Sequence, residues 1–133
     1  MLVAVGVPSF DTLHADFAMS LALLAHGSRE ADLVFVNAKN AKLAEARNQI
    51  VDAARGVNAD WLLFLDSDLV FPPNALRRLL AHGRRQVGAT YRRRSPPHDL
   101  LGSALHSGAR SYEGGLVEMA RMPLGCSLIR MRP

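Results

Sequence analysis

The sequence predicts an α/β domain built on a mainly parallel sheet, and three observations carry that prediction. Short, β-rich apolar runs alternate with segments whose apolar residues recur at helical spacing. The helical segments stop at glycines, namely Gly27, Gly56 and Gly83. One apolar run, Trp61-Leu62-Leu63-Phe64-Leu65, breaks off at Asp66-Ser67-Asp68, as a strand covered on both faces does where its end reaches solvent.

Taken in order, Leu2 to Val7 is the first strand, closed by Pro8-Ser9. Asp11 or Thr12 is placed to cap a helix whose Leu13, Phe17, Leu21 and Leu24 share one face up to Gly27. Leu33 to Val36 is a second strand ending at Asn37. A helix from about Ala41 to Arg55 turns Leu43, Ile50 and Ala54 to one side and stops at Gly56. Leu62 to Leu65 is the third strand. Pro72-Pro73 suits the first turn of a helix with Leu76, Leu79 and Leu80 on its apolar face and Gly83 at its end. Gln86 to Tyr91 is a fourth strand. From about 92 to 115, prolines and glycines interrupt any period, and a loop of that length in a compact domain is usually functional. Leu116 to Met119 and Leu124 to Met131 are two further strands, expected as antiparallel neighbours.

Strands and helices alternating at this spacing imply right-handed crossovers and a sheet covered on both faces. Ligands of such sheets bind outside the carboxyl ends of the strands. Pro8-Ser9, Asn37 and Asp66 to Asp68 are therefore expected to border one crevice.

Residues 1–133 suit a single domain. A composition of 49% hydrophobic and 21% charged residues is that of an ordinary globular chain. No run reaches the roughly 18 to 20 apolar residues of a membrane span, and no signal-peptide pattern opens the chain, so a cytoplasmic protein is expected. The single cysteine, Cys126, excludes an internal disulfide and a cysteine-based zinc cluster. The net charge of +4 is unevenly spread. No acid lies between Asp68 and Asp99, while Arg77, Arg78, Arg84, Arg85, Arg92, Arg93 and Arg94 do, so that segment should prefer an anion.

In extended backbone, residues i and i+2 project to the same side, so Asp66 and Asp68 are expected to face one point with Ser67 turned away. Two carboxylates so placed repel unless a cation lies between them or one is protonated. The rival reading is a polar turn that caps the following helix. Convergence of several polar strand ends favours the cation.

Strand-Pro8-Ser9, Ala46-Arg47-Asn48-Gln49-Ile50-Val51, Ala59 to Asp68 followed by Phe71-Pro72-Pro73, Val87-Gly88 to Tyr91, and Gly125-Cys126-Ser127-Leu128-Ile129-Arg130 together resemble the nucleotide-sugar-binding part of GT-A fold glycosyltransferases of the family-2 kind. The resemblance runs from Val3 to Arg130 and rests on motif order and spacing. It implies a Rossmann-like three-layer α/β/α sandwich and transfer of a sugar from a UDP- or GDP-linked donor to an acceptor. It implies Mn²⁺ or Mg²⁺ on the Asp-x-Asp pair, with Asp68 the more direct ligand and Asp66 helping to hold ribose and metal. On the same reading Pro8 and Ser9 lie against base and ribose, Asn37 and Ser67 border the nucleotide, and Arg47 points toward the crevice; Arg47 equally suits a solvated helix face. His98 and His106 are placed to offer a third metal ligand. A catalytic base from the later chain is Asp99, Glu113 or Glu118, with no choice among them. Related catalytic domains are longer, so a truncated or minimal version is expected, whose missing half a partner subunit could supply; apolar surface left uncovered over the last strands would favour pairing into a homo-oligomer.

Two other classes fit parts of the sequence. Asp66 and Asp68 match the first motif of haloacid-dehalogenase-like phosphatases, but that chemistry needs a later lysine and acidic pair, and no lysine follows Lys42. A non-catalytic module binding sugar nucleotides or nucleic acid fits the arginines, although aromatic residues are only 6% and no nucleic-acid motif is present.

Overall fold

The computed structural model describes residues 1–89, 103–104, 111–112 and 115–133. Strand β1 (Leu2–Ser9), helix α1 (Ala15–Gly27), β2 (Asp32–Lys39), α2 (Leu43–Gly56), β3 (Trp61–Leu65), α3 (Ala75–Ala81) and β4 (Gln86–Gly88) alternate as expected. Then come β5 (Ser103–Ala104), β6 (Ser111–Tyr112), β7 (Leu116–Val117), β8 (Met119–Arg121) and β9 (Cys126–Arg130).

The main sheet has the order β2-β1-β3-β9-β4. Its β2-β1-β3 half is parallel, with Val5 level with both Phe35 and Leu63. The other half corrects the expectation of a mainly parallel sheet, because β9 enters between β3 and β4 antiparallel to both. Cys126 lies level with Leu65, and Ser127 with Gly88, so the chain starts β9 at the sheet end where β4 finishes. A parallel strand there would need a crossover back to the opposite end. Nor are the last strands neighbours: β7 pairs with β6, and β8 with β5, inside the stretch expected as a loop. The buried Cys126, Ser127 and Leu128 of β9 suit a central slot, whereas β7 and β8 are short and half-exposed.

Both faces of the sheet are covered, which explains why β1 is buried from Val3 to Ser9. Val3, Val5 and Val7 alternate onto the face packed by Phe17 and Leu24 of α1 and Leu76 and Leu79 of α3. Ala4 turns to the other face, where Ala46, Ile50 and Ala54 of α2 meet Leu62 and Phe64.

Several local expectations are corrected. Helix α1 begins at Ala15, after Asp11 and Thr12, and its N-cap residue His14 makes no side-chain cap bond. Instead His14 N donates to Ser67 O at 3.1 Å, so a tertiary bond takes the place of a local cap. Leu13 lies outside the helix and is exposed, as is Leu43 at the start of α2, which overhangs the strand ends and leaves Ala46 to begin the buried face. Pro72 and Pro73 precede α3 in a turn closed by Ala75 N on Pro72 O at 3.0 Å. Strand β2 continues past Asn37 to Lys39, paired with Ser9. Of the fourth strand, β4 ends at Gly88, and Thr90 and Tyr91 lie outside the described residues.

Gly6 sets how closely α2 lies on the sheet. A Cβ there would run into Ile50 Cγ2, which belongs to a fully buried, β-branched side chain with little rotamer freedom. Gly6→Ala should therefore destabilise by about 1–3 kcal/mol. In denaturant titrations its cost combined with Ile50→Ala should fall short of the sum of the two single costs, because the pair shares one space.

Candidate active site at the strand ends

The Asp-x-Asp segment leaves the sheet sooner than the sequence suggested. Strand β3 ends at Leu65, and 66–68 form a turn in which Leu69 N donates to Asp66 O at 3.2 Å. Asp66 and Asp68 are therefore brought together by a turn, and the extended alternation expected of 66–68 does not hold. Asp66, Ser67 and Asp68 all line one crevice of about 320 Å³, with Pro8, Ser9, Phe10, Asn40, Ala41, Leu43 and Ala46. The turn is fixed from both sides: Asp66 N donates to Gly125 O at 2.9 Å, and Ser67 O accepts from His14 N.

Arg47 comes to the same place from α2. Its Nη2 lies 3.4 Å from Asp66 Oδ1, with the two side chains only 23% and 30% exposed. That distance is long for a hydrogen bond, so the contact is chiefly ionic. Close packing over Gly6 puts Ile50 on the sheet, and Arg47 lies one helical turn earlier, toward the strand ends. Arg47 Nε is buried without a hydrogen-bond partner among the described residues, a donor of the kind that buried sites normally satisfy.

Asn37 is placed differently from the expectation. It does not line the crevice but supports it, donating from Nδ2 to Val7 O and to Ser9 Oγ, both at 2.9 Å. Ser9 accepts that bond, which leaves its hydroxyl proton to donate elsewhere. The β2 end at the crevice is held by Asn40, whose Oδ1 accepts from Lys42 N at 2.9 Å and whose Nδ2 donates to Glu45 Oε2 at 3.2 Å. Asn40 and Phe10 are not among the residues the sequence singles out; each directly follows a strand that runs two or three residues past its apolar run, which is the signal that marks them. Phe10, 75% exposed, and Leu43, 51% exposed, give the crevice apolar walls.

Of the acids offered as a base, Glu118 lines a separate cavity of about 620 Å³ beside β4, together with Arg84, Gln86 and Met122. That cavity is larger than the crevice but shares no residue with it, so Glu118 does not join Asp66 to Asp68. Asp99 and Glu113 fall outside the described residues, as do His98, His106 and Arg92 to Arg94. Among the described residues no group of three or more His, Cys, Asp or Glu could hold a metal ion.

Cys126 lies beneath the Asp66 turn and is buried. Burial pushes its thiol above the ordinary value of 9.0, a backbone hydrogen bond with Ala89 partly offsets this, and the charge of Asp66 raises it further. It is a poor nucleophile at neutral pH. The native state then keeps this proton to higher pH than the unfolded chain does. Stability is fully present below 9.0 and declines as pH rises through the raised native value. In a pH series of denaturant midpoints, the decline above 9.0 should be shallower in Cys126→Ala than in the wild type.

The model of the family described as glycosyl transferase family 2 matches residues 33–116, well over half of the chain. The chain belongs to glycosyl transferase family 2. The matched stretch of this family-2 chain takes in β2 from Leu33 on, α2 and the whole Asp66 to Asp68 turn. The crystal structure of A197 from STIV is similar over 98% of the family-2 chain, with a TM-score of 0.64 and 17% identity. At that identity the likeness shows the fold alone, and this chain spans 65% of the length of A197. No curated protein matches. Among the described residues of the family-2 chain, no helix is long and apolar enough to cross a membrane.

Proposed function

We propose that the chain is a metal-dependent glycosyltransferase domain of the cytoplasm, taking a sugar from a UDP- or GDP-linked donor bound in the Asp66 to Asp68 crevice. The observation that carries this reading is that Asp66, Asp68 and Ser9 line one crevice of a family-2 chain. Two carboxylates are hard oxygen donors of the kind Mn²⁺ and Mg²⁺ take, and such ions commonly complete their shell with water and substrate phosphates. Asp68 and Asp66 would hold the ion, which when bound supplies Lewis-acid stabilisation of the leaving diphosphate.

The remaining steps fall to the chain's own groups. Arg47 fixes the Asp66 carboxylate from the α2 side, so that the turn is oriented before the donor arrives. Ser9, oriented by Asn37, offers its hydroxyl to the nucleoside, with Pro8 beside it and Ser67 lining the same crevice. Phe10 presents an aromatic face at the rim, suited to stacking on a base. A base toward the acceptor falls to Asp99 or Glu113, since Glu118 lines the separate cavity beside β4.

The test is thermal unfolding with UDP, GDP and their sugar conjugates, each with Mn²⁺ and again with EDTA. A ligand at a hundred times its dissociation constant stabilises by about 2.7 kcal/mol. A shift that requires both the metal and one nucleotide is the expected result. The absence of a shift with every pair, from a folded sample, would overturn the donor site.

A further inference from the structure

The edge of the main sheet at β2 is built like an interface. Among the described residues no strand pairs with its outer side, since β2 ends the order β2-β1-β3-β9-β4. Asp32 N donates inward to Met1 O and Asn40 N to Ser9 O, which fixes the phase of the ladder. In a parallel pair alternate residues turn their N–H and C=O groups to one neighbour, so those of Leu33, Phe35, Asn37 and Lys39 point out of the sheet.

Natural edges are usually blunted by proline, bulges, brevity or charge. Strand β2 runs for 8 residues, in unbroken register with β1 from Asp32 to Lys39. Its middle is Leu33-Val34-Phe35-Val36, without charge, proline or glycine. Leu33 packs against the α1 and α3 core and Val34 and Val36 against the α2 core, all only partly buried, while Phe35 is 46% exposed. Both faces of the edge are thus half-covered, and its backbone groups call for an extended strand.

We propose that this edge pairs with β2 of a second copy, antiparallel about a two-fold axis at Phe35, joining the two sheets into one. The edge complements itself. Residues that face each other across an antiparallel ladder must lie on the same face, and an axis at Phe35 meets that condition along the whole strand. It sets Phe35 against Phe35, Val34 against Val36 and Leu33 against Asn37, with the outward residues exchanging backbone bonds. The ends carry opposite charge, and antiparallel pairing brings the Asp32 end of one copy beside the Lys39 end of the other. The arrangement is isologous and closes at two copies. The two crevices open at opposite ends of the joined sheet, so the interface stands apart from the donor-site reading.

Sedimentation equilibrium across a concentration series tests it, on the wild type, Phe35→Lys and Phe35→Pro. Lysine places a charge on the axis. Proline removes an outward N–H that β1 does not use, which an edge strand tolerates. The wild type should reach twice the chain mass of 14.5 kDa, and both variants should stay at the single mass with unchanged far-ultraviolet circular dichroism. Should the proline variant misfold, the lysine variant decides. Amide hydrogen exchange gives a second readout: protection of Leu33, Phe35, Asn37 and Lys39 in the wild type, lost in Phe35→Lys, with Val34, Val36 and Ala38 protected in both. A wild type that stays monomeric throughout, assembles beyond two copies, or keeps its dimer in a folded Phe35→Lys overturns the proposal.

Discussion

Asp68→Ala should abolish metal-dependent nucleotide binding and leave the fold intact. The residue sits half-exposed in a turn past the end of β3, outside the buried clusters, so the unliganded variant should stay folded and lose no more than about 1.5 kcal/mol. Removing one of two neighbouring negative charges also relieves repulsion in the empty crevice. With a cation bound the same charge is attractive, and its loss should exceed the roughly 10- to 100-fold that changes around a metal's ligands typically cost. The nucleotide- and Mn²⁺-dependent shift in thermal midpoint should disappear in Asp68→Ala and also in Asp68→Asn, which keeps the shape and discards the charge. Retained binding in either folded variant would sink the metal assignment. Dimer formation through β2 should be unchanged in both, since Asp68 lies outside the edge strand Asp32–Lys39.

What the sequence made legible follows from what each signal reports. Hydrophobic period and glycine stops report local structure, and they placed β1, α2, β3 and α3 within a few residues. The convergence of Ser9 and Asp66 to Asp68 was legible because strand direction in a parallel half-sheet puts carboxyl ends together. The place of β9 was not, because inserting a late strand between β3 and β4 is a long-range event, and Cys126 to Arg130 reads the same beside any neighbour. The turn at Asp66 was misjudged for a related reason: Asp-Ser-Asp suits a strand end and a turn alike, and the bonds that decide come from Gly125 and His14, far away in the chain. Strand β2 was cut short because Asn37 and Lys39 are polar, yet an edge strand has a side on which polar residues are tolerated. For Arg47, helical spacing alone leaves a solvated face and a crevice contact equally open, and only the resemblance turns it toward the crevice. Its ion pair with Asp66 depends on Gly6, which lets α2 come close.

Phe17→Ala should have the largest effect on stability and should carry through to the crevice. Phe17 is fully buried in the first turn of α1, and its ring meets Phe71 edge-on with centroids 5.9 Å apart. Truncating a buried phenylalanine costs about 3–5 kcal/mol, and the aromatic pair adds to the loss beyond area alone. That is a large part of the 5–15 kcal/mol by which a typical domain is stable, so the denaturation midpoint should fall steeply. The consequence for function comes from where α1 is tied. His14 N holds Ser67 O just before the helix, and Ser20 Oγ accepts from Phe71 N at 3.4 Å just after the Asp-Ser-Asp turn. Phe17 lies between these two ties on the same helix, so its loss loosens the segment from Ser67 to Phe71 along with the core. Nucleotide affinity should therefore drop in Phe17→Ala even where the protein remains folded, although no atom of Phe17 lines the crevice. Phe17→Leu, which keeps most of the volume, should recover most of the stability and the affinity together. If affinity in Phe17→Ala matched the wild type under conditions where both are folded, the turn would be held by Gly125 and β9 alone.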